Sequence, residues 1–250
     1  MSDSPIDITT KTAAQVLAEQ KGHDPYGVDL SYIKKSPLMA DYESDIVDPT
    51  MQRLTMAHHM MKKGNFATLA VLLPLLLSIR GKPYHLRDHF PFAPFFRPRM
   101  SQMTLLKTGR QVSKSTSLAS QGVLFSNCIP YFSTLYLTPL FEMIRRFSQN
   151  YVAPFIETSP IGSLFSGQST INNVLQRSFK NRSQMIFSFA YLDAERTRGI
   201  SADKNVIDEI QDMDISFLPV IHETVSASPW KLFQYAGTPK TLDNTIERLW

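Results

Sequence analysis

A short polar loop between a strand-like and a helix-like segment is the feature that most constrains the fold of this chain. The apolar run at residues 103–107 predicts a strand, and residues 114–127 predict a helix. The loop between them ends in Lys114 and Ser115, which open the helix. This is the layout of a phosphate-binding loop, in which backbone N–H groups and the helix N-terminus attract phosphate oxygens. The lysine of such a loop reaches the outer phosphates, and the serine hydroxyl binds Mg²⁺.

The loop departs from the usual phosphate-binding pattern at two positions. Thr108 and Ser113 stand where that pattern has glycine. A Ser-Lys-Ser sequence before a helix is also a common capped helix start, because a serine hydroxyl can accept a hydrogen bond from a first-turn N–H group. The loop by itself therefore leaves nucleotide binding and simple helix capping equally open.

Two adjacent carboxylates, Asp208 and Glu209, follow another apolar run at residues 204–207. In an ATPase with a phosphate-binding loop, an aspartate at a strand end holds Mg²⁺ through water, and the next glutamate polarises the attacking water. The alternative is a helix cap after a strand. The two motifs in this order, each after a predicted strand, are more specific than either alone and predict an ATPase. This interpretation requires the motifs to meet at neighbouring strand ends, with a triphosphate-sized gap between them.

Strands alternate with helices along the rest of the chain, which predicts an α/β fold with a parallel sheet and helices on both faces. The predicted strands lie at residues 103–107, 133–138, 184–191, 204–207 and 230–236. The predicted helices lie at residues 114–127, 141–156 and 219–226, and residues 163–178 are predicted to be irregular or only partly helical.

The beginning of the chain predicts a helical subdomain over residues 1–82, ahead of a core over residues 83–250. Helices are expected at residues 10–21, 48–63 and 66–79, and a turn at residues 81–84. The stretch from Tyr84 to Pro98 is rich in proline and aromatic side chains. It is interpreted either as a coil packed over the core or as a platform for a nucleotide base, because it lies just ahead of the loop.

Composition excludes several classes of protein. With 250 residues, 43% of them hydrophobic, the chain can bury a sizeable core. Its one cysteine, Cys128, excludes a disulfide framework and most metal clusters. The start shows no signal-peptide pattern, and the apolar run at residues 68–79 is too short to span a bilayer. The net charge of +4 permits a polyanionic partner without requiring one.

Two arginines could stabilise the charge of a transferred phosphoryl group. Arg110 lies inside the loop and could act on a nucleotide bound to the same chain. Arg198 lies ahead of the strand at residues 204–207, where it could reach the nucleotide of a neighbouring subunit or belong to a solvated loop.

Four motifs together resemble the large terminase subunit of tailed bacteriophages, which packages DNA into procapsids. They are Gly-Arg-Gln-Val-Ser-Lys-Ser at residues 109–115, Arg-Gly-Ile-Ser-Ala-Asp at 198–203, Val-Ile-Asp-Glu-Ile-Gln-Asp-Met at 206–213 and Ala-Gly-Thr-Pro at 236–239. The resemblance covers residues 84–250. It implies a P-loop NTPase of the additional-strand catalytic-glutamate type, with a mostly parallel sheet flanked by helices and a helical N-terminal subdomain.

The resemblance implies a role for individual residues. Glu209 would activate water, Arg110 would contact the γ-phosphate, and Arg198 would act as an intersubunit arginine finger. The metal ligands would be Ser115 and Asp208, and the coupling residues Gly237, Thr238 and Pro239. The ATP-binding residues would be Gly109, Arg110, Gln111, Val112, Ser113, Lys114, Ser115 and Thr116, together with Tyr84, Arg87 and Phe90. Phe90 stands where the family carries an adenine-reading glutamine, which is a further departure.

The resemblance also implies a motor that hydrolyses ATP with Mg²⁺ and moves double-stranded DNA. Its partners would be a portal protein, a small terminase subunit and other copies of itself, as a pentameric ring on the portal and a monomer in solution. It would work in the cytoplasm of the infected bacterial host. Because the sequence stops just after the ATPase elements, we expect no nuclease domain and no DNA cleavage. Arg145-Arg146 and Arg177-Lys180-Arg182 are candidate phosphate contacts, or ordinary solvated surface.

Two other functions stay open. One is a helicase or another DNA translocase with the same core, although no recognisable helicase motif follows the Gly-Thr-Pro segment. The other is a degenerate ATPase fold that only docks onto a partner such as a portal ring. The departures at Thr108, Ser113 and Phe90 keep this second function open.

Overall fold

A computed structural model of the chain describes residues 59, 73–74, 76–96, 101–161, 172–190, 197–241 and 244–249. The helices predicted at residues 10–21 and 48–63 lie outside these residues, except for His59. The helical subdomain over residues 1–82 therefore stays a prediction. Among the helices that the structure describes, none combines the length and the hydropathy that a membrane span requires.

Eight strands in two sheets occur in the described part of the chain. A hairpin pairs β1 (Ser78–Ile79) with β2 (Lys82–Pro83). The main sheet contains β3 (Met103–Lys107), β4 (Ser133–Thr138), β5 (Gln176–Ser178), β6 (Gln184–Phe189), β7 (Lys204–Ile207) and β8 (Leu232–Gly237). Its spatial order is β3-β8-β7-β4-β6-β5, and all neighbours pair in parallel except β5 and β6.

Helices cover both faces of the main sheet. Those described are α1 (Lys114–Cys128), α2 (Phe141–Phe147), α3 (Ala153–Thr158), α4 (Leu218–Glu223) and α5 (Thr245–Leu249). A π-helical turn, Ser148–Val152, joins α2 to α3. Short 3₁₀ segments lie at Leu86–Phe96, Ile210–Asp212 and Ile215–Phe217. The predicted α/β class, with a mostly parallel sheet flanked by helices, is confirmed.

The hydrophobic core has one layer on each side of the sheet, because successive strand residues point to opposite faces. On β4, Tyr136 belongs to the layer that contains α1, α2 and α3, while Leu135 and Leu137 belong to the layer that contains α4 and α5. Every residue of β4 and β7 is buried, as expected for the central strands of a parallel sheet. These two strands form the rigid centre from which the site is built.

The segment before β3 packs onto the same core. Leu73, Leu76 and Leu77 are fully buried in one cluster with Tyr84 and Phe92. The described residues on the two sides of the predicted boundary at residues 82 and 83 therefore share one hydrophobic layer.

The strand prediction is wrong in two places. Residues 78–79, predicted as the end of a helix, form β1, because Arg80 and Gly81 at φ 50° and 74° turn the chain back into β2. Residues 82–83, predicted as part of a turn, form β2. Residues 176–178 lie in the stretch predicted to lack a strand, but they form β5 and pair antiparallel with β6. Pairing with a neighbouring strand across a turn, not an alternating pattern in the local sequence, determines these short strands.

Arg177 does not belong to an exposed basic patch. Its side chain is buried and donates hydrogen bonds of 3.2 Å to both the carbonyl and the hydroxyl oxygen of Ser148. Ser148 opens the π-helical turn, so Arg177 ties β5 to the helical layer. The predicted phosphate contact at Arg177 is wrong, because the guanidinium is occupied inside the fold.

Candidate functional site

Three segments meet at the edge of the sheet where its parallel strands end: the β3–α1 loop, the Asp208-Glu209 pair and the segment at residues 237–239. Because β3, β8 and β7 run in parallel, their carboxyl ends lie side by side at this edge. The two motifs were predicted at neighbouring strand ends, but β8 lies between β3 and β7. The segment that follows β8 is thereby placed between the loop and the carboxylates.

Lys114 bridges the two carboxylates. Its Nζ atom lies 3.1 Å from Asp208 Oδ1 and 3.1 Å from Glu209 Oε1. Burial lowers the pKa of Lys114, but the two carboxylates together outweigh burial and the net pKa is raised. Burial raises the pKa of Asp208. The positive charge of Lys114 opposes this only in part, so the net pKa is raised. One cation facing two carboxylates leaves a local negative charge, which suits a divalent cation.

Asp208 is held by a residue that the sequence did not indicate. Tyr136 donates a hydrogen bond of 2.9 Å from its hydroxyl to Asp208 Oδ2. The Tyr136 ring stacks on Phe147 with ring centroids 3.7 Å apart, which fixes its direction. The local sequence does not single out Tyr136, because β4 also contains the hydroxyl groups of Ser133, Thr134 and Thr138.

Glu209 has a strained backbone. Its φ is 55°, in the left-handed region that costs a residue other than glycine roughly 1–2 kcal/mol. Its Oε2 atom accepts a hydrogen bond of 2.6 Å from Gln211 Nε2. Strained residues of this kind cluster at functional sites, where the surrounding structure holds them in place.

The β3–α1 loop contains two residues in the left-handed backbone region and a glycine with free space around it. Gln111 and Ser113 have φ values of 61° and 65°. Ser113, at a position where the usual pattern has glycine, is thus in a conformation that glycine prefers but other residues can adopt. Gly109 needs no such freedom, and a Cβ atom added there would meet nothing within 4 Å. Arg110, next to it, is exposed and can reach a ligand above the loop.

The base of the loop provides a polar lining. The hydroxyl oxygen of Thr108 is buried without a hydrogen-bond partner, and its backbone N–H donates to the carbonyl of Gly237 at 3.2 Å. Ser115 and Thr116 lie half-buried in the first turn of α1, and Val112 is exposed. An unpaired hydroxyl, an ammonium group and a helix N-terminus in one place form a donor set that fits a phosphate. In the described residues no group of three or more His, Cys, Asp or Glu side chains could hold a metal by itself.

The aromatic stretch ahead of β3 is mainly a packing element. It forms 3₁₀ turns within Leu86–Phe96, interrupted at His89, whose φ of −135° and ψ of 39° are not helical. Tyr84 is 1% exposed, is hydrogen-bonded to Ser117 at 3.2 Å and stacks on His89 with centroids 4.8 Å apart. This placement favours the packing interpretation for Tyr84. Arg87 is exposed, 3.7 Å from Asp88, and the Phe90 side chain lies outside the described part.

The remaining predicted arginines lie on the surface. Arg198 is exposed in a turn beside Gly199, whose φ is 81°. Arg145 and Arg146 are exposed on α2, and Arg145 lies 3.5 Å from Glu142. These positions are open to contact with another molecule.

The segment after β8 is joined to the turn that follows Glu209. The backbone N–H of Thr238 donates to Gln211 Oε1 at 3.0 Å, and Lys240 Nζ lies 2.6 Å from Asp212 Oδ1. Gly237 lacks the space for a side chain, because a Cβ atom would collide with Gln211 Oε1 and lie 3.0 Å from Ile246. The structure therefore links this segment to Glu209 through the side chain of Gln211.

Fold and site together define an α/β protein with a polar site at the carboxyl edge of a mostly parallel sheet. No family model and no curated protein sequence matches the chain. Among solved structures, it is similar to the large terminase of bacteriophage HK97, with a TM-score of 0.56 and 13% identity over 70% of this chain. It is also similar to a point mutant of the Thermus phage P74-26 large terminase ATPase domain, with a TM-score of 0.53 and 16% identity.

These similarities cover part of each protein. The match spans 37% of the HK97 chain, and 66% of this chain with 68% of the P74-26 domain. At this level of identity they establish the fold. The described part of the chain has the fold of a phage large terminase ATPase domain.

Proposed function

We propose that this chain is the ATP-hydrolysing motor domain of a viral DNA-packaging terminase, which couples ATP hydrolysis to movement of double-stranded DNA into a procapsid. The observation that carries the proposal is the position of Lys114 Nζ, 3.1 Å from both Asp208 and Glu209. The strand β8 between β3 and β7 further supports a P-loop NTPase of the additional-strand catalytic-glutamate type.

The site residues divide the work of phosphoryl transfer. The loop at residues 108–113 and the start of α1 bind the phosphates of ATP through backbone N–H groups. Lys114 then exchanges its carboxylate partners for phosphate oxygens. The Ser115 hydroxyl, and Asp208 through water, would hold Mg²⁺, which would neutralise phosphate charge.

Glu209 is the base in this proposal. Once Lys114 turns to the phosphates, the Oε1 atom of Glu209 is free to hold the attacking water in line with the γ-phosphate. Arg110 reaches the developing charge from the loop of the same chain. Arg198 reaches it from a neighbouring subunit, so that assembly of a ring completes the site.

Loss of the γ-phosphate moves the segment at residues 237–239. This movement is transmitted to the residues that contact DNA. The proposed partners are double-stranded DNA, a portal protein and a small terminase subunit in the host cytoplasm. Contact with DNA phosphates is independent of sequence and weakens as salt rises. Arg145 and Arg146, and Lys180 and Arg182, are the exposed candidates for such a contact.

Replacing Glu209 with Gln tests the proposal directly. E209Q keeps the size of the side chain, but its single carboxamide oxygen can accept from only one of Lys114 and Gln211, and it cannot act as a base. We expect it to bind Mg²⁺-ATP like the wild type, while DNA-stimulated hydrolysis falls by roughly 10²–10⁴-fold. Phosphate release is measured with and without DNA over a series of protein concentrations, because an unassembled domain is expected to turn over slowly.

A matched control is E223Q, which changes an exposed carboxylate at the end of α4. It should hydrolyse ATP at the wild-type rate. Hydrolysis by E209Q at the rate of E223Q would exclude Glu209 as the base. If the wild-type chain neither bound nor hydrolysed ATP at any protein concentration, the proposal would be overturned. The remaining function would be a degenerate ATPase fold that docks onto a partner.

A further inference from the structure

The side chain of Gln211 connects the two halves of the site. We infer that Gln211 is a positioning residue that couples the direction of the Glu209 carboxylate to the position of the segment at residues 237–239. The inference rests on the proposed function, and it adds a residue and a physical link to it. Gln211 is 7% exposed, so its carboxamide cannot exchange these contacts freely with water.

Both the nitrogen and the oxygen of the Gln211 carboxamide form hydrogen bonds. Its Nε2 atom donates to Glu209 Oε2 at 2.6 Å and to Asp212 Oδ2 at 3.2 Å. Its Oε1 atom accepts the backbone N–H of Thr238 at 3.0 Å. Because an amide group is planar and rigid, a movement of Thr238 that keeps its bond to Gln211 must shift or break the bond to Glu209.

The backbone at Gly237 is shaped to receive this carboxamide. A Cβ atom at Gly237 would collide with Gln211 Oε1 and lie 3.1 Å from Ile210 Cγ2. The φ of Gly237 is not in the left-handed region, so the glycine is required by the close approach of Gln211 and its neighbours and not by backbone conformation. The 3₁₀ turn that carries Gln211 is itself held by Asp212 N–H donating to the carbonyl of Glu209 at 3.0 Å.

The two oxygens of Glu209 have different partners. Lys114 holds Oε1 at 3.1 Å, and Gln211 holds Oε2 at 2.6 Å. When phosphate oxygens draw Lys114 away, Oε1 becomes available to water, while Gln211 keeps the plane of the carboxylate fixed. When Thr238 moves, that restraint is lost and Glu209 no longer aims its water. Hydrolysis and movement of the segment are thereby linked in both directions.

The test compares Q211L, which removes all three hydrogen bonds of the side chain, with the wild-type full chain. We expect Mg²⁺-ATP to bind within about threefold of wild type, because Gln211 does not face the phosphates. DNA-stimulated kcat should fall by roughly 10–100-fold, as is typical when an orienting partner of a reactive group is lost. Q184L is the matched control, since Gln184 bonds to Gln176 at the opposite end of the sheet, and it should leave kcat unchanged.

A double variant separates coupling from general loss of structure. G237A displaces the same carboxamide, so Q211L and G237A together should lower kcat no more than the worse single variant. Additive losses in kcat, or wild-type kcat in Q211L, would overturn the inference while the proposed function stands. Absence of hydrolysis in the wild type would overturn both. Q211N, which shortens the side chain by one methylene, replaces Q211L if that variant does not fold.

Discussion

At the scale of single residues, the hydroxyl of Tyr136 restrains the carboxylate of Asp208, the residue proposed to hold Mg²⁺ through water. Its hydrogen bond of 2.9 Å fixes one carboxylate oxygen and leaves Oδ1 toward Lys114. In Y136F we expect the Mg²⁺ concentration for half-maximal hydrolysis to rise by about tenfold, because second-layer partners of metal ligands have effects of this size. The measurement is phosphate release as a function of Mg²⁺ at saturating ATP.

Y131F is the control for this change, because Tyr131 is 76% exposed. It should show the Mg²⁺ dependence of the wild type. An unaltered half-saturation point in Y136F would contradict the role of the hydroxyl, whatever the effect on kcat.

Residues differ in how much of their role the sequence can reveal. Lys114, Asp208 and Glu209 could be predicted as candidates, because their chemistry and their places after strands are local features. The contacts of Tyr136 and Gln211 depend on the register between β4 and β7 and on the approach of Gly237. Such contacts join residues far apart in the chain, so no local pattern indicates them.

At the scale of elements, the start of α1 contains a serine in an unfavourable conformation. Ser113 precedes the helix with φ 65° and ψ 25°, and its side chain makes no capping hydrogen bond. In S113G we therefore expect the free energy of unfolding to rise by about 1 kcal/mol, since glycine adopts this region without a steric penalty. The measurement is urea unfolding of the two proteins under identical conditions.

S115G is the matched comparison, two positions further and inside the first turn of α1. There glycine should lower the free energy of unfolding by about 1 kcal/mol, because it is a poor helix former. If S113G were also destabilising, the left-handed conformation of Ser113 would not be the source of strain in this loop.

Elements were predictable where short apolar runs lie between breakers. The ranges of β3, β4 and β7 agree with the predicted strands, because each contains adjacent apolar residues that pack in the sheet; β4 and β7 are fully buried, whereas in β3 only Leu106 is. The π-helical turn at Ser148–Val152 was not predicted. It depends on Arg177, which reaches Ser148 from a strand later in the chain.

At the scale of the whole molecule, the strand order determines what lies between the two halves of the site. With β8 between β3 and β7, the segment at residues 237–239 is next to both the loop and the turn after Glu209. A displacement of either the loop or the turn therefore acts on the segment at residues 237–239. Strand order is set by pairing over the whole sheet, which is why the sequence predicted the strands but placed the two motifs at adjacent ones.

A buried cation makes the stability of the whole fold depend on pH. Lys204 is 1% exposed; its Nζ atom donates to Gln121 Oε1 and lies 4.9 Å from the centroid of the Phe125 ring. Burial lowers the pKa of Lys204 to about 7. The unfolded chain, with an ordinary lysine pKa of about 10.4, holds this proton where the folded chain has released it. Stability therefore rises as pH increases from about 7 toward about 10, and this gain is absent below pH 7.

K204M removes this charge and keeps the length and apolar character of the side chain. We expect the variant to be more stable than wild type at pH 6, with an advantage that shrinks by on the order of 1 kcal/mol between pH 7 and pH 8.5. Burial raises the pKa of Cys128 to about 12 in the folded protein, but this contribution is common to both proteins and cancels in their difference. Urea unfolding followed by tryptophan fluorescence measures the difference at each pH. A difference that does not change over this range would mean that Lys204 keeps its charge in the folded protein, held by Gln121 and the Phe125 ring.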